Sequence, residues 1–172
     1  MFAVEALITR HPFFHDLQPG YVHELAGCAS YVHFDAQVTI FREGEPANRF
    51  YIIDNGLVAL QVGVPSRGLV PIQTLRTGDV LGWSWLFAPY RWHFDAVAIE
   101  PTEALAFDGA CLRGQCEVNH ELGYQLMERF ARIVVDRLQA TRLQMLDLYA
   151  APTPTIATSA RAGGHASPGG AS

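Results

Sequence analysis

Between residues 29 and 109 the chain is cut into seven short apolar runs, and this cutting limits the fold more than any other feature. The runs are Ser30–Phe34, Gln37–Phe41, Arg49–Asp54, Leu57–Val64, Leu69–Leu75, Asp95–Glu100 and Glu103–Asp108. They are rich in β-branched and aromatic residues, which suit a pleated, half-buried surface. Turn residues separate them: Gly44, Asn55-Gly56, Pro65 to Gly68, and Gly78. Many short strands at regular spacing, with turn signals between them, predict a sandwich or barrel. Strand side chains alternate between faces, so Phe41, Phe50, Ile52 and Val58 are expected to turn inward on successive strands.

Helices flank this β-region. Residues 3–27 read as short helices: Gln18-Pro19-Gly20 opens one, with Pro where a first-turn N–H is not needed, and Gly27 closes it. Residues 109–117 read as another short helix, and residues 119–149 as a long one capped by Asn119 with Glu121 in its first turn. The long helix carries two apolar stripes at helical spacing. The first is Leu122, Leu126, Phe130 and Ile133; the second is Met127, Ala131, Val134, Leu138, Thr141, Met145 and Leu148. At about 100° per residue the two lie roughly a quarter turn apart. One stripe suits a lid over the β-body. The other suits a two-helix seam, with Met127, Val134, Leu138, Thr141 and Met145 as the interface of a homodimer. The alternative is that both stripes pack into one core.

A chain of 172 residues fits one domain, here residues 1–149. From Ala150 to Ser172, twenty of 23 residues are Ala, Gly, Pro, Ser or Thr. Such a segment buries too little apolar surface to offset its ordering entropy, so a disordered tail is expected at 150–172. The formal net charge is −5; all twelve basic residues are Arg. That balance argues against broad attraction to nucleic acid or anionic membrane. The N-terminus carries Glu5, lacks a basic stretch and has too short an apolar run for a signal peptide. No segment has the roughly 18 uninterrupted apolar residues of a membrane span. Three cysteines, Cys28, Cys111 and Cys116, are expected to form no disulfide framework and to leave at least one thiol unpaired, which favours a reducing cytoplasm.

One stretch narrows the reading further. Phe41-Arg42-Glu43-Gly44-Glu45-Pro46-Ala47-Asn48-Arg49-Phe50-Tyr51-Ile52-Ile53-Asp54-Asn55-Gly56 resembles a signature of cyclic-nucleotide-binding domains. Leu75-Arg76-Thr77-Gly78-Asp79-Val80-Leu81-Gly82 looks like that family's entry to its phosphate-binding cassette, and Ala96 to Glu103 like the strand that leaves it. The resemblance spans roughly residues 5–148 and is similar in particular to the sensor half of catabolite-activator-type regulators. It implies a mainly β fold with flanking helices: a jelly-roll-like β-roll plus a long C-terminal helix that forms dimers.

The resemblance also implies a cassette chemistry from which this chain departs. In the family a Glu after the cassette glycine accepts a hydrogen bond from the ribose 2′-hydroxyl. An Arg at the cassette's end pairs with the cyclic phosphate, helped by backbone N–H groups of a short helix. Here Gly82 is kept, Trp83 stands at the Glu position, and Trp92 or His93 at the Arg position. Arg91 is one step out of register, and in a strand one step turns a side chain to the other face. Trp83, Trp85 and Trp92 are the only tryptophans of the chain. With Ser84, Arg91 and His93 beside them they suit a pocket for a flat or apolar ligand, though such aromatics are often plain core. Gly82, Trp83, Ser84, Trp85, Arg91, Trp92 and His93 are the candidate ligand-binding residues.

Other groupings are weaker. Cys111 and Cys116 lie five apart with no further cysteines nearby for an iron–sulfur cluster, and they read better as buried thiols than as a redox pair. His11 and His15 are four apart, but Pro12 intervenes and no third metal ligand is evident. No haem-ligand motif accompanies His93. No phosphate loop, nucleophile elbow or acid/base carboxylate pair appears, so an enzyme is not expected. The chain reads as a stand-alone regulatory ligand-sensing module: cytoplasmic, homodimeric, without a metal or certain cofactor, taking a small-molecule effector, nucleotide or other, and acting on an unknown downstream protein. The tail after Tyr149 is too short for a helix-turn-helix unit. The long helix balances four Arg (129, 132, 137, 142) against four acids (121, 128, 136, 147), so DNA binding is not expected. The alternatives are a transcription regulator of the same family and a structural dimerisation protein with a collapsed pocket.

Overall fold

The computed structural model describes residues 2–150, with side chains described over 3–146. Helix α1 (Phe2–Arg10), a single 3₁₀ turn (Pro12–Phe14) and helix α2 (Pro19–Gly27) precede eight strands. These are β1 (Ala29–Phe34), β2 (Thr39–Phe41), β3 (Arg49–Asn55), β4 (Leu57–Val64), β5 (Gly68–Arg76), β6 (Val80–Leu81), β7 (Asp95–Ala98) and β8 (Thr102–Asp108). Helices α3 (Gly109–Val118) and α4 (His120–Ala150) follow. The fold class is the one the sequence implied, a β-roll with a long C-terminal helix. The tail expected beyond residue 150 lies outside the described residues. A first compact unit runs to Val135; a second begins at Asp136, and its described part is the rest of α4.

The strands form two four-stranded sheets in the orders β1-β8-β3-β6 and β2-β7-β4-β5, and every pair is antiparallel. The β3–β4 turn requires glycine. Gly56 sits at φ +114°, and a Cβ there would come within 2.7 Å of the Thr102 Cα and 2.8 Å of the Pro101 carbonyl oxygen. Only a residue without a side chain adopts that backbone at that distance.

Strand β3 is buried on both faces, which divides the core in two. Phe50 and Ile52 point toward the helices, with Ile8, Phe14, Leu25, Trp85, Phe107, Leu112, Leu122, Leu126 and Phe130. Tyr51 and Ile53 point into the roll, with Phe41, Val58, Leu60, Leu75, Leu81, Trp92 and Ala96. The four residues expected to share one interior therefore separate: Phe41 and Val58 line the roll, whereas Phe50 and Ile52 hold the helices. On the helix side Phe50 stacks on Phe107 at 4.5 Å and meets Phe130 edge-on at 5.1 Å. Such aromatic pairs add about 0.5–1.5 kcal/mol beyond area burial.

Capping sets the helix boundaries. The Asp108 carboxylate accepts from the Cys111 N–H (2.8 Å) at the start of α3, and Asn119 Oδ1 accepts from the Leu122 N–H (3.2 Å) at the start of α4. Each cap satisfies a donor left without a partner in the first turn. The first stripe of α4 enters the core: Leu122, Leu126 and Phe130 are fully buried and Ile133 packs beside them. The second stripe does not share that core, since Met127, Leu138 and Met145 are 42%, 53% and 51% exposed.

The expected unpaired thiol is present, but the expected absence of a disulfide is corrected. Cys28 and Cys111 form a disulfide across 83 residues, with Cα atoms 5.7 Å apart, and only Cys116 stays free. The cause is register. Ala29 pairs with Phe107 at the end of the β1–β8 ladder and the Asp108 N–H donates to the Cys28 carbonyl (2.8 Å), so the first turn of α3, which carries Cys111, starts beside Cys28. That separation lies within the usual range for a disulfide.

His11 ties the N-terminal helices to the roll. Its Nδ1 accepts from the Phe13 N–H (3.2 Å), which requires Nε2 to carry the proton donated to the Gly78 carbonyl (3.0 Å). Burial is the main cause that pulls its pKa below the ordinary 6.5; the Gly78 carbonyl pulls the other way. The folded state thus favours the neutral ring. Its contribution is complete above pH 6.5 and is lost as pH falls below that value through the lowered folded pKa. Urea denaturation between pH 7.5 and 5 is expected to show a loss of stability in the wild type that is smaller in His11→Asn, which keeps a capping acceptor but does not titrate. Equal pH slopes for the two chains would contradict this assignment.

Candidate functional site

The cassette begins where β6 ends. Gly82 takes φ +90°, and a Cβ on it would lie 2.7 and 2.9 Å from two atoms of the Trp92 ring. Residues 84–86 then form a single 3₁₀ turn, Ser84–Leu86, and the chain returns through Tyr90, at φ +54°. The return leg zips onto the segment after β2. The Ala47 N–H donates to the Tyr90 carbonyl (2.7 Å), the Trp92 N–H to the Glu45 carbonyl (3.0 Å) and the Gly44 N–H to the Trp92 carbonyl (2.9 Å), while Arg91 bridges Pro46.

This ladder fixes which side chain faces the roll. Trp92 points in, 6% exposed, and stacks on Phe41 with centroids 3.7 Å apart and planes 8° from parallel. Arg91, its neighbour, is exposed, and its Nη1 donates to the Gly44 carbonyl at 2.6 Å. The side-chain period of two makes these placements exclusive.

The seven candidate residues sort into four placements. Gly82 and Trp92 meet inside the roll. Trp83, Ser84 and His93 meet beside the cassette turn, where Trp83 packs against the helix-side core: the imidazole stacks on the Trp83 indole (5.0 Å, 21°), and Ser84 Oγ lies 2.9 Å from His93 Nδ1. Phe87 and Phe94 meet Trp83 edge-on. Trp83 is half-buried and His93 exposed, so this aromatic face reaches solvent. Trp85 is placed elsewhere, fully buried on the helix side against Phe50 and Phe130. Arg91 faces away from the roll.

Two features were not legible in the sequence. Arg113 of α3 holds both ends of the cassette turn. Its Nη1 donates to the Trp85 carbonyl (2.7 Å), and its guanidinium carbon lies 4.4 Å above the Tyr90 ring. An open cavity of about 430 Å³ is lined by Glu45, Asn48, Arg49, Asp108, Tyr51 and Trp92, among others. Burial pushes the Tyr51 phenol up, and Arg49 beside it pulls the other way. These polar residues come from three separate elements, and no spacing signals them. Among the described residues no group of three His, Cys, Asp or Glu side chains is arranged to hold a metal. Among the same residues no helix is long and apolar enough to cross a membrane.

Residues 31–119, the roll and the α3 segment, match the model of the cyclic nucleotide-binding domain, and the chain belongs to that family. It is 26% identical over 151 residues to a protein of Mycobacterium tuberculosis described as a CRP-like cAMP-activated global transcriptional regulator; the match covers 88% of this chain and 66% of that relative's length. Among solved structures, a Geobacter metallireducens protein assigned to cyclic nucleotide binding superposes with a TM-score of 0.72 at 28% identity, covering 80% of this chain and 99% of the other. The catabolite activator protein of Thermus thermophilus shares the fold with a TM-score of 0.64 at 24% identity, covering 81% of this chain and 63% of the other.

The different burial of the two cassette indoles gives a direct test. Trp92→Ala empties the centre of the roll and is expected to lose about 3–5 kcal/mol. Trp83→Ala removes a half-buried side chain and is expected to lose roughly 1–2 kcal/mol. Chemical denaturation measures both; equal losses would mean that Trp92 does not fill the roll.

Proposed function

We propose that this chain is a regulatory ligand-sensing module whose cassette has lost the cyclic-phosphate grip and reads its effector through the aromatic face of Trp83 and His93. The observation that carries this reading is the parity at residues 91 and 92. The cation nearest to the family's phosphate-pairing position, Arg91, is turned outward onto the Gly44 carbonyl, and the inward place holds the Trp92 indole stacked on Phe41. At the position of the family's ribose-binding carboxylate stands Trp83, whose indole is a donor only and cannot accept from a hydroxyl. What remains is a flat apolar surface with a Ser–His pair at its edge. That chemistry suits a planar, uncharged or weakly polar small molecule better than a cyclic phosphate.

Occupancy of this face is read by α3, since Arg113 holds the Trp85 carbonyl and the Tyr90 ring on either side of it. An effector that fits one arrangement of the cassette better than another shifts the population of the two. The stripe of α4 with Met127, Val134, Leu138, Thr141 and Met145, exposed at every one of these positions but Val134, which is half-buried, supports a homodimer as the output element. Tyr124 and Val135 broaden that stripe, at 67% and 49% exposure. The activity is binding, with regulation of a further macromolecule as its outcome.

Calorimetry with cAMP, cGMP and a panel of planar aromatic compounds tests the cassette. A charge-assisted hydrogen bond is worth about 1.5–3 kcal/mol, so loss of the Arg and the Glu together amounts to roughly 3–6 kcal/mol, or two to four decades of affinity. Both cyclic nucleotides are expected to bind in the millimolar range or more weakly. Submicromolar cAMP binding that vanishes in Arg91→Ala would overturn the reading.

The dimer has its own test. Leu138→Glu places a charge in the apolar seam, and the buried charge is worth several kcal/mol against association. Sedimentation is expected to show dimers for the wild type and monomers for the variant. A variant that dimerises as tightly as the wild type would place the seam elsewhere.

A further inference from the structure

We infer that Cys28 and Cys111 form a reversible thiol–disulfide site through which a small disulfide, such as an oxidised low-molecular-weight thiol, sets the rigidity of the cassette. The bond joins the C-terminal cap of α2 to the first turn of α3. Helix α3 is also the element that holds the cassette. A Cβ on Gly109 would lie 3.2 Å from the Trp85 Cβ, and Arg113 donates to the Trp85 carbonyl while covering Tyr90. One covalent link therefore fixes the helix on which both ends of the cassette turn rest. Without it, the first turn of α3 keeps the Asp108 cap and the Gly109 N–H to Asn48 carbonyl bond (2.7 Å) as its local ties.

The two sulfurs are unequal in access. Cys111 is partly exposed and Cys28 is buried, so Cys111 meets the oxidant first. Its thiolate attacks one sulfur of the small disulfide, which forms a mixed disulfide and expels one thiolate. The Cys28 thiolate then attacks the Cys111 sulfur, which closes the Cys28–Cys111 bond and expels the second. Two cysteine thiols are oxidised, one small disulfide is reduced to two thiols, and the two protons leave with them. Reduction by an excess of the small thiol runs the same steps backward. Cys116 stands outside this exchange: it is free and half-buried, and burial pushes its thiol up, away from the reactive thiolate form.

Its regulatory meaning rests on the reading of the cassette as the sensor site, but its test needs no effector, so a failed ligand titration leaves it standing. The full chain, purified without reductant and unfolded in denaturant, is expected to titrate one thiol, rising to three after equilibration with reduced glutathione and returning to one with oxidised glutathione. Hydrogen exchange of the folded chain in the two states is then compared. The amides of Leu86, Tyr90 and Trp92, which bond within the cassette and to Glu45, are expected to exchange at least tenfold faster after reduction. Ladder amides of β4 and β5 are expected to change little. Cys116→Ser, titrating zero and two thiols, controls for the third cysteine. Three thiols in both glutathione mixtures, one thiol in both, or cassette protection unaffected by reduction would each overturn the proposal.

Discussion

Three backbone hydrogen bonds between residues 44–47 and 90–92 decide the character of this protein. They pin the strand-like return of the cassette against the segment after β2, and so choose the side chain that enters the roll. With Trp92 inward, the interior of the roll beside Gly82 is filled by an indole stacked on Phe41. With Arg91 outward, its guanidinium is spent on the Gly44 carbonyl. Gly82 belongs to the same constraint, because the indole lies where any side chain at that position would have to begin. The aromatic face formed by Trp83 and His93 reaches solvent beside the cassette turn.

Much of the fold was legible because it is written in local periodicity. The seven apolar runs became seven strands, Pro19 and Gly27 bounded α2, and Asn119 capped α4. Strand β6 was not legible, since two residues cannot display an alternation. Nor was the double burial of β3. The run Phe50 to Ile53 is apolar at every position, which signals burial without saying against what, and only the arrival of helices on one face explains it. The split of Phe41 and Val58 from Phe50 and Ile52 follows from that.

The site was legible in its departures more than in its geometry. Trp83 and the displaced Arg91 could be read against the family pattern, but the orientation at 91 and 92 depends on a single step of register that sequence spacing leaves open. The disulfide was hidden for a related reason. Cys28 and Cys111 stand 83 residues apart and become neighbours only because β1 and β8 pair with Ala29 opposite Phe107. Arg113 carries no motif, and its role appears only once α3 lies beside the cassette turn.

Strand β3 has little solvent-facing side along its middle, and this limits how it can be displaced. An ordinary half-exposed strand can roll about its own axis and spill the displacement into water. Here a rotation that moves Tyr51 and Ile53 inside the roll must carry Phe50 and Ile52 with it, into the aromatic stack of Phe107 and Phe130. Phe130 belongs to α4. The partition between the two cores thus leaves Phe50 and Tyr51, successive residues of one strand, packed one in each of them.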